Sequence, residues 1–553
     1  MHLLFLVRFI PETVTRMLNT LLLILVLLFA VFLLIMLGQK LKISYPIFLV
    51  LAGLAIGFIP GIPRITIEPE LIFLIFLPPL LYEAAWFTSW HEFWKWRRPI
   101  GMLAFGLVFI TSVAVAFVSN AMIPGFTLAL GFLLGGIISP PDAVAAGSVL
   151  RHIKVSKRLT TILEGESLIN DASSLIVFRF ALAAVLTGQF SMGQATGQFF
   201  LVSGMGIVIG LAIACIMYAV HRYLPTTASI NATLTLMTPY FMYIAAEHFH
   251  YSGVMAVVSG GLFLSYRSHQ ILSHSDSRMQ AYSVWATVAF VLNGLVFILI
   301  GLELPEIIDG LGDYSIGDGI KYGLIISAIA IIVRLLWVFP IAYVPVWLGN
   351  RKRMDPLNPL WKGPTIIGWA GMRGVVSLAS ALSIPLLLSN GSPFPHRNLI
   401  LFITFIVILV TLVFQGLTLP LVIKWVKMKE IEDFAPAHEQ EAAIKIRLMQ
   451  AGLKRLEEQY AFEAEDNELV GFLKNQLDHD VVISQQRLDS LECDTTMQEE
   501  IELYHAVLLD IYAIQRLELH KLRTEKQFSD EEIRRQENQL DFEEAKILGG
   551  NGH

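Results

Sequence analysis

Apolar runs separated by short polar stretches fill most of the chain, from about residue 18 to residue 423. A membrane-crossing helix needs about 20 mostly apolar residues. Thirteen segments meet that pattern, at 18–37, 43–60, 69–88, 99–119, 124–148, 159–187, 198–220, 229–247, 252–266, 281–303, 321–348, 363–388 and 397–423. The ninth is short, and the fifth is long and interrupted. The first run is too long for the core of a signal peptide and is expected to be the first span. Past residue 430 the period changes. Ile444, Leu448, Leu453 and Leu456 recur at helical spacing among Glu and Gln. That predicts amphipathic helices packed on one another or on a partner. The end, from Gly549 to His553, is expected to be disordered.

Composition agrees with this division. Of 553 residues, 55% are hydrophobic and 16% charged, where a soluble protein carries about 25% charge. So few charges cannot clothe a water-soluble surface, which excludes an ordinary soluble enzyme. Two cysteines, Cys215 and Cys493, cannot build a disulfide framework or a cysteine-rich metal site. The net charge of −6 divides into +10 over residues 1–429 and −16 over residues 430–553. The reading is a transmembrane domain over 1–425 and an acidic helical tail over 426–553. Nucleic-acid binding does not suit a tail of that sign.

The basic residues orient the spans. Loops after odd-numbered segments hold sixteen Lys and Arg, among them Lys42, Arg98, Arg151, Lys154, Arg158, Arg351, Lys352 and Arg353. Loops after even-numbered segments hold three: Arg64, Lys321 and Arg397. Basic loops stay in the cytoplasm, so the tail is expected inside, after Lys424, Lys427 and Lys429, and the N-terminus outside. Arg8 and Arg16 run against this rule. Residues 4–10 are apolar and are expected to lie along the membrane interface.

Ionisable groups inside spans are costly and need a reason. They are Glu83, Asp142, Glu166, Asp171, Arg179, Arg334 and Arg373, while Glu247 and Glu303 stand near span ends where water is expected to reach them. Segment 6 is the densest. At about 100° per residue, Glu166, Ser167, Asn170, Asp171 and Ser174 fall within an arc of about 140°. An oxygen-rich helix face suits a cavity, a proton relay or a site for a hard cation; the bland alternative is a polar network that ties helices together. In segment 5, Ser139-Pro140-Pro141-Asp142 removes two backbone donors and disfavours a continuous helix. Segment 12 is punctuated by Gly363-Pro364, Gly368, Gly371, Arg373, Gly374 and Pro385. Interrupted spans in corresponding positions of two halves point to a transporter binding site. Segments 5 and 12 are seven apart, so inverted repeats of about 18–187 and 229–423 are expected. Segment 3 adds Pro78-Pro79 before Glu83.

Leu77-Pro78-Pro79 with Glu83, Ser139 to Asp142, Glu164-Gly165-Glu166-Ser167-Leu168-Ile169-Asn170-Asp171, and Met372-Arg373-Gly374 together resemble the monovalent cation:proton antiporter family, and its bacterial sodium/proton exchangers in particular. The likeness runs in order over residues 40–425. It implies an all-α polytopic membrane protein of about 13 transmembrane helices, with two inverted repeats, two broken crossing helices and a homodimer. It also implies roles. Asp171 carries the ion or the proton, Ser167 and Glu83 supply oxygen ligands to Na⁺, and the backbone carbonyl of Pro141 faces the ion. Asn170 hydrogen-bonds Asp142, and Glu166 pairs with Arg373. One departure is that Ala143, not proline, follows Asp142, while Pro141 precedes it.

The expected activity is exchange of Na⁺ for H⁺ by competition at Asp171. It is electroneutral because Asn170 is uncharged, and needs no cofactor beyond the transported ions. K⁺/H⁺ exchange is the alternative. An intramembrane hydrolase lacks a Gly-x-Ser-x-Gly or His-Glu-x-x-His motif, and a receptor with a signalling tail leaves the intramembrane carboxylates without a purpose. Expected partners are membrane lipid and a second copy of the chain, in a bacterial inner membrane; the tail's own partner is unknown. The acidic tail and the basic loops share a side, so docking of one on the other is expected to tune activity with pH.

Overall fold

The computed structural model describes residues 12–60, 73–150, 153, 155–188, 192–272, 275–312, 314–347, 361–388, 391–427, 437–490, 496–525 and 530–550. Expectations on residues 4–10, Arg8, Arg64, Arg151, Lys154, Arg351, Lys352, Arg353, Lys429, Cys493 and 551–553 lie outside these residues, as does the side chain of Arg16. The chain divides into two units, Met1–Ile431 and Glu432–His553.

The first unit is helical, and its described residues hold one isolated bridge, Leu387 with Pro393, in place of any sheet. Its main helices are α1 Glu12–Lys40, α2 Tyr45–Gly57, α3 Leu77–Phe87, α4 Val108–Met122, α5 Leu128–Ile138, α6 Ala143–Leu150 and α7 Lys157–Thr187. There follow α8 Met192–Tyr223, α9 Ala228–His248, α10 Gly253–Tyr266, α11 Ser275–Leu302, α12 Ile316–Trp347, α13 Lys362–Trp369, α14 Val375–Leu382, α15 Arg397–Leu409 and α16 Gly416–Val426. A π-helical turn leads into α4 at Met102–Leu107 and another joins α15 to α16 at Val410–Gln415. Helix thus falls on every apolar segment read from the sequence. Eight helices among the described residues are long and apolar enough to cross a membrane, and three shorter apolar ones accompany them.

Packing separates rim from centre. Only 17% of the apolar window in α1 is buried, against 72% of that in Arg397–Val426. Leu22, Leu25 and Phe29 of α1 stand exposed. In water such a surface would be unstable, but lipid solvates it, and tight helix pairing then comes from small residues. Gly131 and Gly135 of α5 lie on Ala116 and Ser112 of α4, so close that a Cβ on either would sit 2.6 Å from the partner Cα. Gly53 of α2 meets Ile298 and Gly301 of α11 in the same way. Tyr45 meets Phe290 and Phe297, and Gly57 meets Leu302 and Pro305. The helices α2 and α11 therefore run parallel, both starting at the end that carries Lys42.

The second unit consists of α17 Ala437–Gln459, α18 Glu468–Ser490, α19 Thr496–Glu525 and α20 Asp530–Gly550, with a short helix at Ala461–Asp466. Arg516 ties α19 to α20 through Asp541 at 2.5 Å and through Glu544. Two expectations are corrected here. Ile444 and Leu448 are exposed, and Ile446, Leu453 and Leu456 form the inward stripe. Two residues either way from Ile446 is a rotation of about 200°, which places the other two on the opposite face. The last helix also continues through Gly549 and Gly550, where disorder was expected.

Candidate functional site

The site begins with two missing donors. Pro140 and Pro141 have no N–H, so α5 stops at Ile138 and α6 starts afresh at Ala143. The first amide after the break, that of Asp142, donates to the carbonyl oxygen of Met372 at 2.7 Å. Met372 lies in the second break, between α13 and α14. The two interrupted helices thus cross and bond at their breaks.

Such a crossing brings together two helix starts, with orphan amides, and two helix ends, with orphan carbonyls. Each pair meets a charge of the right sign. Asp142 Oδ1 accepts from the amides of Val144 (2.8 Å) and Ala145 (3.4 Å) at the start of α6. Its Oδ2 lies against the Cα of Gly374, the residue that opens α14; a Cβ there would be 1.8 Å from that oxygen. Arg373 takes the ends: its Nε donates to the carbonyl of Ile138 at 3.1 Å, and its Nη1 donates to that of Gly371. Its own amide donates to Thr411 Oγ1 at 3.1 Å.

Arg373 is therefore not bonded to Glu166, which corrects the expected pairing. Glu166 receives Arg334 of α12 instead, with Nη1 to Oε1 at 2.5 Å and Nη2 to Oε2 at 2.8 Å, both side chains fully buried. The remaining Nε of Arg334 donates to the carbonyl of Ile367 in α13 at 3.1 Å. Asn170 is corrected too. Its Nδ2 donates to the carbonyl of Pro141 at 3.0 Å rather than to the Asp142 side chain, and its Oδ1 is buried with no partner among the described residues. The Pro141 carbonyl keeps a second lone pair.

The polar face of α7 consequently splits. Glu166 and Asn170 brace neighbouring helices, and Ser174 Oγ bonds the Asp171 carbonyl. Ser167 and Asp171, one turn apart, line a cavity of about 1180 Å³. Asp142, Pro141, Glu83 and Gly374 line it as well, so α3 brings Glu83 to the same space as α7. Ser167 Oγ accepts the Ala143 amide at 3.2 Å and keeps its own hydroxyl hydrogen. The Asp171 carboxylate is 8% exposed, and no described residue donates a hydrogen bond to it. A nearly buried anion with no fixed donors calls for a mobile positive partner, either a cation or a proton.

The cavity has a direction. On α7 it follows Thr160, Glu164, Ser167, Leu168 and Asp171 and goes no further, and it reaches Lys42 and Ser44. It therefore extends from the basic end of the bundle down to Asp171. Among the other intramembrane charges, Arg179 pairs with Glu247 at 2.7 and 2.8 Å on the half-exposed side of α7 and α9. Glu303 was expected to reach water, but it is only 7% exposed, at the junction of α11 with a further short helix, Leu304–Asp309. Among the described residues there is no cluster of three His, Cys, Asp or Glu side chains suited to a resident metal.

Broken helices crossing at charged breaks, with a carboxylate-lined cavity leading to them, define a membrane transporter of the secondary class. Residues 24–425 match the family model described as sodium/hydrogen exchanger, transmembrane. An antiporter of Bacillus pumilus, named for sodium, potassium, lithium and rubidium against H⁺, is 34% identical over 387 residues, 68% of this chain and 57% of that protein. An uncharacterised Na⁺/H⁺ exchanger of Mycobacterium tuberculosis is 31% identical over 93% of both chains. In structure, the sodium proton antiporter of Methanocaldococcus jannaschii at pH 8 superposes with a TM-score of 0.54 at 19% identity, covering 73% of this chain and 97% of that one. This chain belongs to the sodium/hydrogen exchanger family, a family of transporters. As the first of these relatives shows, the aligned stretch spans little more than half the length of some members.

Proposed function

We propose that the protein is a secondary active antiporter that exchanges Na⁺ for H⁺, with both competing for Asp171. The observation that carries this reading is the Asp171 carboxylate, set in a cavity at the crossing of the two breaks with no donor among the described residues. Deprotonated, it holds Na⁺ together with the oxygens of Ser167, Glu83 and the Pro141 carbonyl, since hard cations take oxygen ligands. Protonated, it loses its charge and releases the ion. Alternating access then requires that one or the other be bound when the site changes face. Asn170 beside it is neutral and engaged with Pro141, so one proton moves per cation and the exchange is electroneutral.

Structural charges are kept apart from the moving one. Asp142 and Arg373 are committed to helix ends and Glu166 to Arg334, which leaves Asp171 to change its state without unbalancing the crossing. The protein acts as a homodimer of inverted-repeat protomers in a bacterial inner membrane, with the Lys42 end of the bundle in the cytoplasm and the N-terminus outside. The Bacillus pumilus relative is named for potassium as well as sodium, which makes K⁺ the second cargo to test. The experiment is Asp171→Asn in inverted vesicles at matched expression. Na⁺-driven proton movement should vanish, and its persistence would sink the assignment.

A further inference from the structure

Resting on the exchange reading above, we propose that Arg179 and Glu247 form a latch that keeps the cavity closed on the side remote from Lys42 and opens once in every transport cycle. Close contacts sort the helices into two sets. Gly136 of α5 lies on Phe178 of α7, and Gly106, just before α4, lies on Trp337 of α12. With the crossing of the breaks, these contacts tie α4 to α7 and α12 to α14 into one set. Gly261 of α10 lies on Ala85 of α3, Gly260 of α10 lies on Met242 of α9, and Tyr82 of α3 meets Trp285 of α11. With the contact of α2 on α11, these make the second set. The cavity runs between the sets: Ser167, Asp171 and Gly374 line it from the first, Glu83 and Asn293 from the second. Beyond it the sets close through an apolar layer. There Phe76, Val296 and Ile300 of the second set and Val375, Leu378 and Leu382 of the first leave a space of only about 20 Å³.

A change of access at Asp171 requires the two sets to move against each other, so contacts between them on the closed side must break. Arg179 stands two turns, about 12 Å, past Asp171 on α7, away from the open end at Thr160. Its Nη2 donates to both carboxylate oxygens of Glu247 on α9, at 2.7 and 2.8 Å. The pair therefore joins the first set to the second. Glu247 is fixed on its own side, because its Oε1 also accepts the amide of Gly253 at 3.1 Å, where α10 starts. When α7 moves, the acceptor stays with α9 and α10, and only the guanidinium leaves. Exposure separates a latch from a brace. Glu166 and Arg334 are fully buried within the first set, where parting would strand both charges. The Arg179 and Glu247 side chains are 43% and 28% exposed. Water solvates each end as that pair opens, at a cost small enough for turnover.

The test uses the full chain in oriented proteoliposomes, with Cys215→Ser and Cys493→Ser to clear the native thiols. In that background, Arg179→Cys and Glu247→Cys are bridged by a bifunctional thiosulfonate about as long as the two side chains it replaces. The unbridged protein should exchange, bridging should abolish exchange, and reduction should restore it. A second readout follows the closed side. Val296 is 3% exposed within the apolar layer, so labelling of Val296→Cys by an impermeant thiol reagent added on the far side reports the minor, far-open population. Glu247→Gln and Arg179→Gln should each raise that rate about two- to fivefold. The double variant should raise it no further, since each substitution removes the same latch. Undiminished exchange in the bridged protein, a block by the monofunctional analogue alone, no exchange in the folded unbridged variant, unchanged labelling in both single variants, or additive effects of the two would overturn the latch. Absence of Na⁺-driven proton movement in the wild type would instead overturn the exchange reading beneath it, while the labelling result would still report on the latch.

Discussion

Glu166 and Arg334 form a two-pronged ion pair with neither side chain exposed, across 168 residues of sequence. The pair joins α7 to α12, and the third donor of Arg334 adds α13 through Ile367. It holds the helix that bears Asp171 against one of the two interrupted spans. Breaking one half of such a pair leaves an uncompensated charge in a low-dielectric interior.

A double-mutant cycle separates this pair from its sequence rival. Arg334→Ala should lower stability by about 3–5 kcal/mol. Much of that loss should be recovered when Glu166→Gln is added, because the stranded charge goes with it. Arg373→Ala should cost about 1.5–3 kcal/mol through the Ile138 and Gly371 carbonyls it abandons. Its coupling to Glu166→Gln should be the weaker of the two. Thermal unfolding in detergent measures all of these, and a stronger coupling at Arg373 would restore the rejected pairing.

The breaks were legible because proline and glycine act locally: Pro140-Pro141 and Gly371 to Gly374 interrupt their helices whatever surrounds them. The Ser167–Asp171 spacing was legible for the same reason, since four residues return to one helix face. The choice between Arg334 and Arg373 was not. Both are lone guanidinium groups in apolar spans, and only the arrangement of α7, α12 and α13 decides which one Glu166 meets. The burial of Glu303 was hidden likewise, because hydropathy ends the span there while the chain turns into another helix. In the tail, a run of hydrophobic residues at mixed spacings left the buried face ambiguous between Ile446 and its neighbours two positions away.

Competition at one carboxylate fixes the pH dependence of cation binding. Lowering pH raises the proton concentration at Asp171, so the apparent half-saturation for Na⁺ must rise. On the acid limb, one proton displacing one cation gives a tenfold increase per pH unit. The check is the Na⁺ dependence of proton flux across a pH series. A slope of two decades per unit would mean two protons, bringing in Glu83, and would end the electroneutral assignment.

Gly374 is where the second broken helix comes closest to the first. A methyl group there would sit 1.8 Å from Asp142 Oδ2 and 2.6 Å from its Cγ. Gly374→Ala must displace a carboxylate that caps α6 through Val144 and Ala145. The expected loss is about 2–4 kcal/mol, combining overpacking with a lost cap, together with a large fall in exchange. Gly204→Ala, in open space on α8, is the control and should leave both unfolding and flux near wild type. Equal behaviour of the two variants would remove Gly374 from the account.

Ser167 has two duties that can be told apart. Its oxygen accepts the Ala143 amide, which steadies the start of α6, and it faces the cavity beside Asp171. Ser167→Ala removes both, leaving an amide short of an acceptor and the cation short of an oxygen. Losing the first should cost about 1 kcal/mol of stability. Losing the second should raise Na⁺ half-saturation by about three- to tenfold, since a weakened ligand shell changes affinity before maximal rate. The proton side supplies the discrimination. A hydroxyl ligand matters to Na⁺ but far less to H⁺, which binds the carboxylate directly. Ser167→Ala should therefore raise the half-saturation for Na⁺ more than it changes that for H⁺, and Ser167→Thr, which keeps the hydroxyl, should restore the wild-type ratio. If alanine moved both ions equally, or threonine failed to rescue a folded protein, Ser167 would be a brace for α6 and no ligand.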